Sequence, residues 1–171
     1  MRPTHLLTYS GSFQTAFSAD NGPEDFLRPL RRLNGEERFS LNLMKIPRGK
    51  WLEDLSEAER REMAETYLQC AGSANALSIE LRQKAAGAYH LYTVGRPGVR
   101  RGKPGVAIPF QHGNRTLQVY PDEVFVAEEA AEIFHRYFKT GEVDTRYLLR
   151  EIDLNAFYRE LESDSDPPDG L

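Results

Sequence analysis

Apolar residues recur at every second position in some stretches of this chain and at every third and fourth in others. Phe39, Leu41 and Leu43 alternate with Ser40, Asn42 and Met44, the period of a half-buried strand. Leu77, Ile79 and Leu81 alternate with Ser78, Glu80 and Arg82 in the same way, and residues 89–94 are rich in aromatic and β-branched side chains. Residues 83–87 between these two stretches predict a hairpin connection. Residues 106–110 and 116–120 predict a second hairpin around residues 111–115, with Gly113-Asn114 supplying the positive φ. Pro109 has no N–H to give to a ladder, which places its strand at an edge or a bulge.

Helical spacing appears twice with clear ends. Ser56 and Glu59 have capping-box spacing, and a helix is predicted from there to about Cys70, with Gly72 as the stop and Met63, Ala64, Tyr67 and Leu68 on its apolar face. Ala130, Ile133, Phe134, Tyr137 and Phe138 form a full stripe at i, i+3, i+4, i+7 and i+8, predicting a helix from about Ala127 to Lys139 that stops at Gly141. Glu128, Glu129 and Glu132 crowd its first turns, where the helix dipole favours anions. Two weaker helices are expected, at residues 24–33 with Pro29 inside, and at residues 155–161 with Asp153 or Asn155 as cap. Helices interspersed with hairpins, without repeated β-α-β units, predict an α+β fold: a mostly antiparallel sheet with two or three helices packed on one face.

At 171 residues the chain is one domain's worth. The expectation is a single α+β domain over residues 1–162, followed by a disordered acidic tail over 163–171, where Ser, Asp and Pro leave no apolar anchor. The other biased stretch, residues 95–105, carries too many glycines and prolines for a helix or an interior strand and reads as a mobile loop. Lys and Arg total 22 against 26 Asp and Glu, a formal charge of −4. That mild acidity disfavours direct nucleic-acid binding, which relies on a positive field, and is compatible with a basic protein partner. No apolar run approaches the ~20 residues that span a bilayer, and the first ten residues hold no cleavable export signal. With a single cysteine, Cys70, these features place the chain in the cytoplasm with no membrane association.

Catalytic and metal motifs are sparse. Glu132 and His135 make one Glu-x-x-His, half of the double motif a carboxylate-bridged di-iron bundle requires, so no metal or other cofactor is expected. Cys70 ends a helical pattern and reads as a small buried thiol. No nucleophile elbow, phosphate loop or dinucleotide fingerprint occurs. Trp51 is either a partner anchor or cover for the core.

The order of features in the second half carries a resemblance. Tyr92-Thr93-Val94-Gly95-Arg96-Pro97 precedes an edge strand, then come Leu117-Gln118-Val119-Tyr120-Pro121-Asp122-Glu123-Val124-Phe125, the helix from Ala127, Tyr137-Phe138-Lys139-Thr140-Gly141, and Tyr147-Leu148-Leu149-Arg150-Glu151-Ile152-Asp153-Leu154. Over about residues 71–154 this resembles small actinobacterial immunity proteins of bacterial polymorphic toxin systems, most nearly the type 1 immunity family. The resemblance implies an α+β protein without catalysis of its own, whose partner is a cognate protein toxin, often an enzyme acting on nucleic acid. It fixes no contact residues.

From the residues themselves, two clusters are candidates for partner binding. Asp122, Glu123, Glu128, Glu129 and Glu132 form the densest acidic patch and could fill a basic, phosphate-holding cleft, or simply solvate a helix end. Arg96, Arg100 and Arg101, with Lys103, could contact an acidic partner, or simply keep a long loop solvated. Two alternatives stay open. One is a small enzyme built on His90 and Glu80; the other is a regulatory adaptor that works through the residue 96–103 loop.

Overall fold

Leu7, Leu43, Leu68 and Leu81 stand side by side across four neighbouring strands, each fully or almost fully buried. The computed structural model that places them describes residues 1–155. The strands are β1 (His5–Tyr9), β2 (Phe13–Phe17), β3 (Ser40–Lys45), β4 (Tyr67–Ser73), β5 (Ala76–Ala85), β6 (Ala88–Gly95), β7 (Val106–Phe110), β8 (Arg115–Val119) and β9 (Leu148–Ile152). Seven of them form one sheet in the order β2-β1-β3-β4-β5-β6-β9, with each pairing antiparallel, while β7 and β8 pair separately as a hairpin. The helices are α1 (Pro23–Arg31), α2 (Glu57–Ala64) and α3 (Ala127–Thr140). The chain is therefore α+β.

Because successive side chains on a strand point to opposite faces, the register divides the sheet cleanly. One face carries the leucine row and, beside it, Tyr9, Leu41, Cys70 and Ile79. It is covered by α1 and α3, whose Phe26, Leu30, Ile133, Phe134 and Phe138 join the same apolar cluster. Phe26 sits at the centre, its ring 5.0 Å from Phe17 and 5.5 Å from Phe138. Burying each such side chain contributes about 1.5–3 kcal/mol. α3 has the expected stripe and the expected end: Gly141 adopts φ 75° and its N–H bonds the Tyr137 carbonyl at 2.7 Å. α1 tolerates Pro29 near its C-terminal end, and its first turn is fixed by Asp25, whose carboxylate accepts the Gly22 N–H at 2.9 Å.

The opposite face carries α2, in which Met63 and Ala64, with Leu52 and Leu55, border a cavity of about 200 Å³ against Leu6 and Met44 of the sheet. α2 starts as expected, with Ser56 and Glu59 exchanging backbone-to-side-chain bonds of 3.2 and 2.9 Å. It does not reach Cys70. It ends at Ala64, and Tyr67–Ser73 forms a central strand. Residues 67–72 also alternate, with Leu68, Cys70 and Gly72 buried, and strand partners on both sides take up the backbone groups of successive residues in turn; a helical extension would satisfy its backbone internally but would not bring that alternating face into the core.

Smaller differences follow from turn geometry. The β5–β6 connection shrinks to Ala86-Gly87, both at positive φ, because pairing continues to Ala85 and Ala88. In the β7–β8 turn the positive φ falls on Gln111, His112 and Gly113, not on Asn114. The expected helix at residues 155–161 lies outside the described residues beyond Asn155, as does the expected acidic tail over residues 163–171. At its start, the Asn155 N–H bonds Asp153 Oδ1 at 2.9 Å. No helix among the described residues is long and apolar enough to cross a membrane.

His5 belongs to the core, 6% exposed, with its ring centroid 4.6 Å from that of Phe138 and Nδ1 2.9 Å from Thr4 Oγ1. Burial, and secondarily the Lys45 charge, lowers its pKa from 6.5 to about 4. Between those two values the unfolded chain binds this proton and the folded chain does not. Stability should therefore fall as pH drops through that window, by about 3 kcal/mol from this group. Urea unfolding midpoints measured across the window test this, since His5→Gln should flatten that part of the slope.

Candidate binding loop and its ion-pair clamp

Residues 96–105 leave the sheet at the end of β6 and return as β7. Pro97, Gly98, Pro104 and Gly105 prevent them from continuing either element. They are nevertheless fixed at several points. The Arg96 N–H bonds the Asp122 carbonyl at 2.8 Å. Its guanidinium pairs with Glu129 through Nε and Nη2, donates from Nη1 to the Val124 carbonyl at 2.8 Å, and lies 4.5 Å from the centroid of the Phe125 ring. Glu129 also accepts the Tyr147 hydroxyl at 3.0 Å.

Arg100 makes the second tether. Its Nε donates to Asp122 Oδ2 at 3.0 Å and its Nη1 lies 3.5 Å from Glu123 Oε2. Glu123 is 0% exposed. Its carboxylate accepts Arg150 Nε at 2.9 Å, Arg150 Nη2 at 3.0 Å and the Tyr120 N–H at 2.8 Å. The Tyr120 ring has the Arg100 and Arg150 guanidinium carbons each 5.3 Å from its centroid, and its hydroxyl donates to the Gly102 carbonyl at 2.7 Å. Gly95 leaves room for this tether: a Cβ there would displace the end of the Arg100 side chain and lie 3.0 Å from Glu123 Cγ.

Of the eight residues expected to bind a partner, Asp122, Glu123, Glu129, Arg96 and Arg100 thus come together as one another's partners. Glu123 has no surface to offer, and the other four spend their charges on each other. Glu128 and Glu132 are exposed on α3, facing Arg31 at 3.1 Å and Arg146 at 3.8 Å. Arg101 is exposed and makes no hydrogen bond or ion pair with another described residue. Arg150, Tyr120, Tyr147 and Gly95 complete the network and were not singled out by motif reading. The one hint of Arg150 is a lone cation among the apolar positions of residues 148–152.

His90 and Glu80 lie on opposite faces of the sheet, since Glu80 pairs with Thr93 and His90 is an odd number of residues away. They cannot form one site. Glu80 sits in a cross-strand polar row running Gln14, Thr8, Asn42, Gln69, Glu80, Thr93, Arg150 across the whole sheet. Burial pushes its carboxyl pKa up, against a hydrogen bond from Gln69. His90 Nδ1 lies 2.6 Å from Glu151 Oε1 and its Nε2 3.3 Å from the Ala85 carbonyl. Glu151 raises its pKa. Both groups border an open depression of about 530 Å³ with Tyr89 and Asp153.

Elsewhere the candidate chemistry is occupied or buried. Burial pushes the Cys70 thiol up to about 12, so it carries no thiolate at neutral pH. Trp51 is partly exposed, with the Arg2 guanidinium carbon 5.4 Å from its ring centroid. Among the described residues no group of three His, Cys, Asp or Glu is placed to hold a metal. Comparison with known proteins finds no matching family model, no matching curated protein and no matching solved structure.

Removing one member of a buried ion pair leaves the others uncompensated, at about 3–5 kcal/mol. Glu123→Gln should therefore destabilise the fold by about 3 kcal/mol. Gly95→Ala should cost about 1–3 kcal/mol by overpacking. Denaturant unfolding reads both; a Glu123→Gln variant as stable as the parent would show that the clamp contributes nothing to stability.

Proposed function

We propose that this chain is a non-catalytic, immunity-type binding protein that neutralises a cognate toxin enzyme in the cytoplasm by covering its active site. The observation that carries this reading is the clamp. Six charged side chains from the loop, the turn at Pro121–Glu123, α3 and β9 tether residues 96–102 to the body of the fold. A loop that is already ordered loses little entropy on docking, which favours a tight, specific contact with a macromolecule. The clamp and the loop lie wholly within the stretch whose motif order resembles the type 1 immunity family, which supplies the class of partner.

Co-expression with the toxin encoded beside its gene should restore growth, and the two purified chains should elute together on gel filtration. Absence of both protection and a complex would sink this reading.

A second reading, a small enzyme, draws on the His90–Glu151 pair beside the open depression. It predicts turnover of a small substrate that falls by about 100-fold or more in His90→Gln, as expected for loss of a general acid or base, while the far-UV CD spectrum stays that of the parent.

A further inference from the structure

The clamp separates the loop into residues that hold it and residues that it holds out. Arg96, Arg100 and the Gly102 carbonyl are anchored. Between and beside them Pro97, Val99, Arg101 and Lys103 are exposed. Val99 is 88% exposed, against 68% for Phe13 and 40% for Trp51, and it sits next to the Arg100 anchor. An aliphatic side chain held open to water contributes nothing to the fold, and on an anchored backbone it is available for burial against another molecule.

The charges point the same way. Within the clamp Arg96, Arg100 and Arg150 face Asp122, Glu123 and Glu129, so that cluster is neutral as a whole. Arg101 and Lys103 are surplus to it and make no ion pair with any described residue. A chain of net charge −4 therefore presents a cationic tip on this anchored loop.

We propose that Pro97, Val99, Arg101 and Lys103 form the docking surface of this protein, and that the partner offers a shallow apolar pocket for Val99 ringed by carboxylates for Arg101 and Lys103. This rests on the binding-protein reading and deepens it. It also changes the expected chemistry of the contact. An acidic rim is not the phosphate-holding cleft of an enzyme acting on nucleic acid, so the loop grips the toxin beside such a cleft and blocks access by bulk. The acidic end of α3 lies outside this contact: Glu129 is spent in the clamp, and Glu128 and Glu132 sit beside Arg31 and Arg146 on the surface.

The test is isothermal titration of the full chain with a catalytically inactivated toxin from the adjacent gene, at low and at physiological salt. Val99→Asp and Arg101→Glu should each weaken binding by about tenfold or more. Arg101→Glu should also flatten the salt dependence, because exposed charges act through a screened field. Thermal melts should match the parent, since neither side chain is buried or bonded. Glu128→Lys with Glu132→Lys should leave affinity unchanged. A tight parental complex unaffected by the loop variants, or one lost on changing the two glutamates, overturns the docking surface while leaving the binding-protein reading in place. Absence of any parental complex overturns both.

Discussion

One buried carboxylate organises this molecule's second half. Glu123 has no contact with water, so its charge must be matched by donors fixed in place. The Tyr120 N–H comes from its own turn, Arg150 from the last described strand of the sheet, and Arg100 from the loop between β6 and β7. These segments are far apart in the chain; strand pairing between β6 and β9 and the shared burial of Val94, Phe125 and Tyr147 bring them close, and the cost of leaving that carboxylate unpaired fixes how they meet. The match is incomplete: Arg100 Nη2 is buried without an acceptor, wedged against Gly95. An apolar cluster of the same size could be as stable. The ionic version specifies direction, because the fork of Arg150 and the single bond of Arg100 allow one loop position and few others.

The same register that builds the core delivers Arg150 to Glu123. A seven-strand polar row runs across the face away from α1 and α3, and Arg150 is its last member. Slipping any strand by one residue would turn that row inward, placing Glu80 or Gln69 against Phe134 and exposing the leucines. Register is thus set twice, by the leucine row on one face and by the hydrogen-bonded row on the other, where Asn42 Nδ2 donates to Gln69 at 3.2 Å. The clamp inherits its accuracy from this arrangement. Loop 96–105 starts at the end of β6, and β9, which brings Arg150, pairs directly with β6.

Much of the framework was legible in hydrophobic spacing, because α3 and the β5–β6 hairpin bury one face and leave the other wet. β1 was not. His5, Leu6, Leu7 and Thr8 are all buried, since β1 has strands on both sides and cover on both faces, and a strand buried on both faces loses its alternation. β4 was hidden by coincidence: Met63, Ala64, Tyr67 and Leu68 satisfy a helical stripe as well as they do the end of one element and the start of another. Sequence reasoning also found most members of the charged cluster but assigned them to an outside partner. Asp122 and Arg100 are 22 positions apart, and Arg96 and Glu129 are 33. Nothing in local spacing distinguishes a charge that meets another chain from one that meets its own.

That ambiguity resolves once the pairing is known. A loop rich in glycine, proline and arginine reads as mobile when its cations are taken as solvated, and as rigid when two of them are tethered. Its tip then has a different meaning. Val99 and Arg101 flank the anchored Arg100. They are held at a defined place relative to the sheet by bonds that run through Arg96, Arg100, Glu123 and Arg150. Ion pairs that contribute modestly to stability can thus matter more for recognition, because they cut the ordering cost of docking before any partner arrives.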